Sequence, residues 1–162
     1  MREGFIVCAR TDARGIESFD SALDRARAYT EAGADMIFPE GLASEDEFAR
    51  FASELRTGAK DTGLSRHGGP FLLANMTEFG KTPIIPFARF QQMGYDCVIF
   101  PVTTLRAAMH GVDLALRAIR EHGHVEDVLD RMQHRKDLYA LLGYTPGEEW
   151  VYPGPTRPAT EA

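Results

Sequence analysis

Four short apolar runs along the 162-residue chain each end in a cluster of polar or charged side chains. Phe5 to Ala9 leads into Arg10, Thr11 and Asp12, and Met36 to Phe38 leads into Glu40. The run that starts at Phe71 leads into Asn75, Thr77 and Glu78, and Cys97 to Phe100 leads into Thr103, Thr104 and Arg106. Continuous apolar runs of this length suit strands buried on both faces, as in a parallel sheet, although short runs alone also fit buried helix.

The intervening segments carry helical spacing. From Ser18, Phe19, Ala22, Leu23, Ala26 and Tyr29 fall on one face, and Gly33 supplies a stop. Ser44 and Glu47 form a capping-box pattern ahead of Phe48, Phe51 and Leu55. "PFARFQQMG" predicts a shorter helix, with Pro86 in its first turn and Gly94 behind it. A longer one places Leu105, Met109, Val112, Leu116 and Ile119 on one side. Strand and helix thus alternate at roughly 25 to 35 residues, the rhythm of an α/β protein.

In parallel α/β folds the carboxyl ends of the strands open on one face, and ligands bind there. Arg10, Glu40, Asn75 with Thr77, and Arg106 are therefore expected to face one mouth, as a shared anion-binding site. A closed (β/α)₈ barrel needs eight such units and typically about 250 residues, whereas four are evident here. The pattern alone leaves open a small open sheet or the second half of a barrel.

Composition narrows the partners. A formal charge of −6 and a pI near 5.4 argue against non-specific nucleic-acid binding, which needs a basic face. No apolar stretch is long enough to span a membrane, and the N-terminus lacks a signal-peptide pattern, so the chain reads as cytoplasmic. Cys8 and Cys97 fall inside predicted strands and read as small buried core residues in a reducing compartment.

The segments "CARTDAR", "EAGADMIFPEG", "LLANMTEFGKTP", "VIFPVTTLRAAM" and "RMQHRKDLYALLGY" resemble, in order, motifs of the 2-methylisocitrate lyase family. That family lies within the isocitrate lyase and phosphoenolpyruvate mutase superfamily, and the resemblance runs from about Phe5 to Tyr144. It implies a (β/α)₈ barrel with Mg²⁺ at its C-terminal mouth, and a retro-aldol scission of 2-methylisocitrate to pyruvate and succinate. By the same resemblance Arg10 binds a substrate carboxylate and Glu40 contacts the substrate near the metal. Asn75, Met76 and Thr77 hold another carboxylate, and Arg106 and Arg135 add positive charge. Guanidinium forks suit a tricarboxylate, because each can bind a carboxylate through two parallel hydrogen bonds.

Several expected parts of that family are not among these residues. Its proton donor is a cysteine in a Lys-x-Cys-Gly-His motif ahead of the "ARTDA" strand, and its Mg²⁺ aspartates and Ser-Gly-Gly loop lie earlier still. Cys8 does not replace the donor, having no neighbouring Lys or His to favour a thiolate. The chain therefore reads as the C-terminal half of a lyase, inactive alone, with residues 1–145 as a partial barrel and 146–162 as an irregular tail. The polar stretch 57–69, where the family turns more tightly, reads as a solvated enlargement of a loop.

Plainer readings stand beside these. Arg10 also suits a structural ion pair with Asp12 or Asp35, Glu40 a simple turn, and Arg135 a solvated helix face. His122 and His124 flank a helix–helix turn and lack ligands at metal-binding spacing. Asn75 to Thr77 matches a glycosylation sequon by accident, given no secretory signal. Trp150 and Tyr152 are expected to dock on a neighbouring subunit, or else on the preceding helix, because superfamily C-terminal helices are commonly exchanged in homo-oligomers. Two other functions remain: another superfamily reaction on a small 2-oxo or phosphono acid, or a non-catalytic half barrel that binds carboxylates or oligomerises.

Overall fold

The computed structural model describes residues 4–58 and 61–151. Four parallel strands, β1 (Cys8–Thr11), β2 (Met36–Pro39), β3 (Phe71–Asn75) and β4 (Cys97–Ile99), form one sheet in the order β1-β2-β3-β4. Helices follow each strand: α1 (Ala13–Ile16) and α2 (Phe19–Glu31), then α3 (Glu45–Gly58), α4 (Phe87–Gln92) and α5 (Thr103–His122). A 3₁₀ turn (Glu126–Arg131) and α6 (Arg135–Leu142) complete the described chain. Strands adjacent in sequence are thus adjacent in space, as along the arc of a (β/α) barrel. Two compact units are present, Met1–Arg106 and Ala107–Ala162.

The helix starts follow their sequence signals. Ser18 caps α2, its Oγ accepting from the Ser21 amide at 3.0 Å. Ser44 likewise takes the Glu47 amide at 3.2 Å. The Glu47 carboxylate departs from the usual capping box: it accepts from the Ala43 amide and from both Nε and Nη2 of Arg14. That fork ties α1 to α3, and the Arg14 bond holds the Glu47 carboxyl below its ordinary range. Pro86 stands one place before the first turn of α4, as its cap.

One device sets two helix ends and two strand starts. After α2 and α4 the chain passes through Gly33 (φ 104°) and Gly94 (φ 86°), a backbone shape glycine adopts freely. The next amides, of Ala34 and Tyr95, close back on the carbonyls of Tyr29 and Phe90, both at 2.9 Å. This is the Schellman pattern. The residues that follow, Asp35 and Asp96, each accept a backbone amide of the preceding strand segment, Val7 and Leu72, at 2.9 Å. Their own amides return to the carbonyls of the same two residues.

The sheet is packed on one side. Ile37, Leu72 and Ala74 are buried under α2, α3 and α4, among Leu23, Ala26, Phe48, Phe51, Leu55 and Phe90. Phe48, Phe90 and Tyr95 meet edge to face at 5.1–5.6 Å, and the Tyr95 hydroxyl donates to the Phe48 carbonyl. Because side chains alternate along a strand, the residues between these face the other way. That second face carries Cys8, Arg10, Met36, Phe38, Phe71, Leu73 and Asn75, all partly or fully exposed.

Two expectations change, and Trp150 meets one of its two expected partners, the preceding helix. Cys8 is exposed and Cys97 half-buried, because each alternates with a neighbour, Ala9 and Val98, that takes the packed face. The 57–69 stretch is anchored rather than wholly solvated. Within it Ser65 is buried and donates to Asp96, while Arg56 donates to the Gly68 carbonyl and pairs with Asp96 at 3.2 Å. Trp150 turns back on its own chain, its indole N–H donating to the Leu142 carbonyl of α6 at 2.9 Å. Tyr152 and the rest of the tail lie outside the described residues. The α5 stripe of Leu105, Met109, Val112, Leu116 and Ile119 forms as spaced, but every member is exposed.

Two outcomes are expected. The Arg56–Asp96 side chains are only 13% and 12% exposed, so Asp96→Ala strands a guanidinium, a serine hydroxyl and a strand amide together. It should lower stability in urea melts by about 3 kcal/mol. Asp113→Ala, which breaks an exposed pair on α5, should leave the melt unchanged. The open sheet face and bare α5 stripe should also drive self-association of the 162-residue chain, visible by light scattering as species larger than a monomer.

Candidate active site

The register of the sheet gathers the polar ends of the strands at one edge, with Arg10 two residues short of the row that holds Asn75. Arg10 pairs with Phe38 across β1 and β2, and Asn75 with Ile99 across β3 and β4. Glu40 follows β2 directly, its amide extending the ladder to the Thr11 carbonyl at 2.9 Å. Arg106 sits in the first turn of α5, just beyond β4. These side chains make two polar groups along one edge.

The first group joins β1, β2 and β3. Arg10 donates from Nε and Nη2 to the two oxygens of Asp12, at 3.0 and 2.7 Å, and its Nη2 lies 3.5 Å from Glu40. The Arg10 hydrogen bond holds the Asp12 carboxyl below its ordinary range. The structural ion pair and the place at the mouth therefore coexist in one residue, with Asp12 as the partner. Asp35 is engaged elsewhere, with the Val7 amide. Arg10 also covers the Phe38 ring at 5.0 Å. Its Nη1 has no partner among the described residues. Glu40 reaches Asn75 Nδ2 at 3.4 Å, and the buried Oδ1 of Asn75 is unpartnered.

The second group joins the β3–α4 loop to α5. Arg106 Nη1 donates to the Glu78 carboxylate at 2.6 Å and to the Glu78 carbonyl at 2.9 Å, and reaches Thr77 Oγ1 at 3.5 Å. The other carboxylate oxygen of Glu78 accepts from the Thr103 hydroxyl. That bond, more than Arg106 itself, keeps the Glu78 carboxyl below its ordinary range. Glu78 and Thr103 sit in the polar steps that end the third and fourth apolar runs; only the folded chain brings them together.

One expected residue, Met76, turns away from the mouth. The Met76 side chain is only 2% exposed, packs in the core, and brings its sulfur to 3.5 Å from the Ile85 amide. Its own amide is taken by the Ile99 carbonyl. Alternation decides this: Asn75 and Thr77 lie on one side and Met76 on the other. Arg135 is the first residue of α6, exposed, in the second unit.

Between the loops after β2 and β3 lies a small cavity of about 180 Å³. Glu40, Asn75, Thr77, Lys81 and Thr82 supply its polar lining. A larger hollow of about 790 Å³ lies at the other end of the strands, beside Val7, Asp35 and Asp61, with no basic side chain among its described lining. Among the described residues no three His, Cys, Asp or Glu side chains converge as a metal site. Asp12, Glu40 and Glu78 each lie against a guanidinium instead. These residues alone do not fit Mg²⁺, which asks for oxygen ligands in octahedral array.

Known proteins share the sequence pattern and the fold. The family described as phosphoenolpyruvate phosphomutase matches residues 1–120. A probable 2-methylisocitrate lyase 1 from Corynebacterium glutamicum is 52% identical over 142 residues, covering 86% of this chain and 42% of that protein. The chain thus spans less than half the length of the curated relatives it matches. Among solved structures, 2,3-dimethylmalate lyase, a member of the same superfamily, has a TM-score of 0.67 at 30% identity over 85% of this chain and 44% of its own. A phosphonopyruvate hydrolase in complex with oxalate and Mg²⁺ has a TM-score of 0.63 at 25% identity, over 86% and 45%. Magnesium thus occurs within the superfamily.

The two guanidiniums should give the chain weak affinity for dicarboxylates without metal. Charge-assisted bonds of roughly 1.5–3 kcal/mol each, set against the entropy of association, place succinate binding at about millimolar. Arg10→Ala and Arg106→Ala should each weaken it by about tenfold in a chemical-shift titration. Arg50→Ala, on the outer surface of α3 beside Asp20 and Glu54, should not.

Proposed function

Since the chain belongs to the phosphoenolpyruvate phosphomutase family, we propose that its mouth is the carboxylate-binding part of a carbon–carbon lyase site for 2-methylisocitrate. The observation that supports this most is the contact of Arg10 and Asn75 with Glu40, at 3.5 and 3.4 Å, across the ends of three neighbouring strands, with Arg106 beside the fourth. The relatives named for that reaction supply the substrate.

The reaction asks for specific help. Scission breaks the bond between the hydroxyl-bearing carbon and its neighbour. The hydroxyl loses its proton as its carbon becomes the carbonyl of pyruvate. The electron pair stays on the succinate half, spreads into the adjacent carboxylate, and that carbon then takes a proton. Negative charge therefore grows on a carboxylate during bond breaking, and donors already aimed there stabilise the transition state more than the ground state.

Arg10 and Arg106 suit that task. Each keeps N–H donors uncommitted after pairing with Asp12 and Glu78, so each can bind a substrate carboxylate without giving up its internal partner. The Asn75 amide and Thr77 hydroxyl add neutral donors from one loop. Glu40, an acceptor only when ionised, suits the substrate hydroxyl rather than a carboxylate. Met76 acts through the core, fixing Asn75 and Thr77 on either side of it. Arg135 adds positive charge in the proposed assembly.

The 162 residues contain no Lys-x-Cys-Gly-His acid motif, and a general acid typically contributes about 10²–10⁴-fold. Assayed alone with 2-methylisocitrate and Mg²⁺, the chain should release no pyruvate above background. Fused behind the corresponding preceding segment of the Corynebacterium glutamicum relative, it should release pyruvate, and Arg106→Ala in that fusion should cut turnover by about 10²-fold. Turnover by the 162 residues alone at the rate of a complete lyase would contradict the proposal. So would a folded fusion that ignores 2-methylisocitrate.

A further inference from the structure

We propose that Glu78 and Phe79 are positioning residues for Arg106, turning one edge of its guanidinium toward an incoming carboxylate. The inference rests on the reading of Arg106 as a carboxylate ligand. All three polar contacts of Arg106 leave from Nη1, toward the Glu78 carboxylate, the Glu78 carbonyl and Thr77 Oγ1. Nε and Nη2 have no partner among the described residues. Those two nitrogens form the edge that makes two parallel hydrogen bonds with a carboxylate.

Glu78 can hold that orientation because it is itself held. One oxygen takes Arg106 and the other takes the hydroxyl of Thr103, so the carboxylate bridges the β3–α4 loop to the first turn of α5. Its backbone carbonyl binds the same Nη1. A guanidinium pinned through one nitrogen by two acceptors of one residue has little freedom to turn its other edge away.

Phe79 completes the arrangement. The Arg106 Cζ lies over its ring, 5.4 Å from the centroid. Among the described residues it is the non-glycine with a left-handed backbone, φ 63°. L-residues with a Cβ are disfavoured there, aromatic ones especially. The ring is also 94% exposed, which water opposes. A cation–π contact in solvent compensates little. Backbone strain held in place by its surroundings is typical of ligand clamps. Gly80 follows at once and lies beside Thr77.

Charge and position make opposite predictions. If charge alone governs, removing the Glu78 carboxylate beside Arg106 should tighten anion binding. If Glu78 positions the fork, removing it should loosen binding. The test is a succinate titration of the full 162-residue chain and its variants, read from amide shifts and from the Arg106 Nε–Hε signal. Glu78→Ala is expected to weaken succinate binding by about tenfold and to broaden or shift the Arg106 Nε–Hε signal. Glu78→Gln, which keeps a weaker acceptor, is expected to weaken it by about threefold. Phe79→Gly, which relieves the backbone and removes the ring, should melt no lower than the wild type yet bind several-fold more weakly, by about the same margin.

Equal or tighter binding in Glu78→Ala, with the Arg106 signal unchanged, overturns the proposal. If that variant does not fold, Glu78→Gln decides the matter in its place: weaker binding supports the positioning role and equal or tighter binding overturns it. Arg106→Ala distinguishes failure of the ligand from failure of its positioning. Should it keep the wild-type response to succinate, Arg106 is no carboxylate ligand and the underlying reading falls. Should it lose that response while the Glu78 variants bind as wild type, only the positioning role falls.

Discussion

The amides of Val7 and Leu72 meet the carboxylates of Asp35 and Asp96, and the alignment of the mouth depends on those two bonds. Each aspartate stands where a helix has just ended on a glycine, so it fixes both how the chain leaves the helix and where the preceding strand begins. A parallel strand held at its start is held at its end. A slip of one residue would exchange the two faces of a strand, sending Ile37 or Leu72 into solvent and Arg10 or Asn75 into the core. The buried Ile37, Leu72 and Ala74 oppose such a slip from one side, and the aspartates forbid it along the strand.

With register settled, the electrostatics of the mouth follow. Arg10 and Arg106 are each paired with a carboxylate from the same βα loop or its neighbour, Asp12 or Glu78, and neither uses all its donors. The internal carboxylates balance the charge and orient the forks, while the spare N–H groups stay at the surface of the mouth. Glu40 and Asn75 belong to the first group and line one small cavity with Thr77 of the second. The resulting edge alternates cation and anion, which favours a ligand offering both carboxylates and a hydroxyl over a simple polyanion.

Much of this was legible in the order of residues. The apolar runs marked four strands, although β1 begins at Cys8, three residues into its run, and continues through Arg10 and Thr11. Ser18 and Ser44 marked helix starts through their side-chain oxygens, a local interaction that no distant contact has to support. Gly33 and Gly94 marked the stops for an equally local reason. The polar residues at the strand ends were identifiable as a group, and Arg10, Glu40 and Asn75 do come together.

What the chain order determined by itself was therefore the set of elements, their parallel sense and the residue types offered at the mouth, because caps, glycine turns and apolar runs act within a few residues. Tertiary structure decided the rest, because it depends on which face each side chain takes and on partners far along the chain. Pleating sent Met76 into the core and left Cys8 exposed, against the plain apolar pattern. Asp96, from elsewhere in the chain, tied down a loop that looked merely polar by pairing with Ser65 within it and Arg56 just before it. The Trp150 indole turned to a carbonyl of its own chain. Above all, the meeting of Glu78 with Thr103 and Arg106 joins two loops 25 and 28 residues apart, a contact that exists only once β3 and β4 lie side by side.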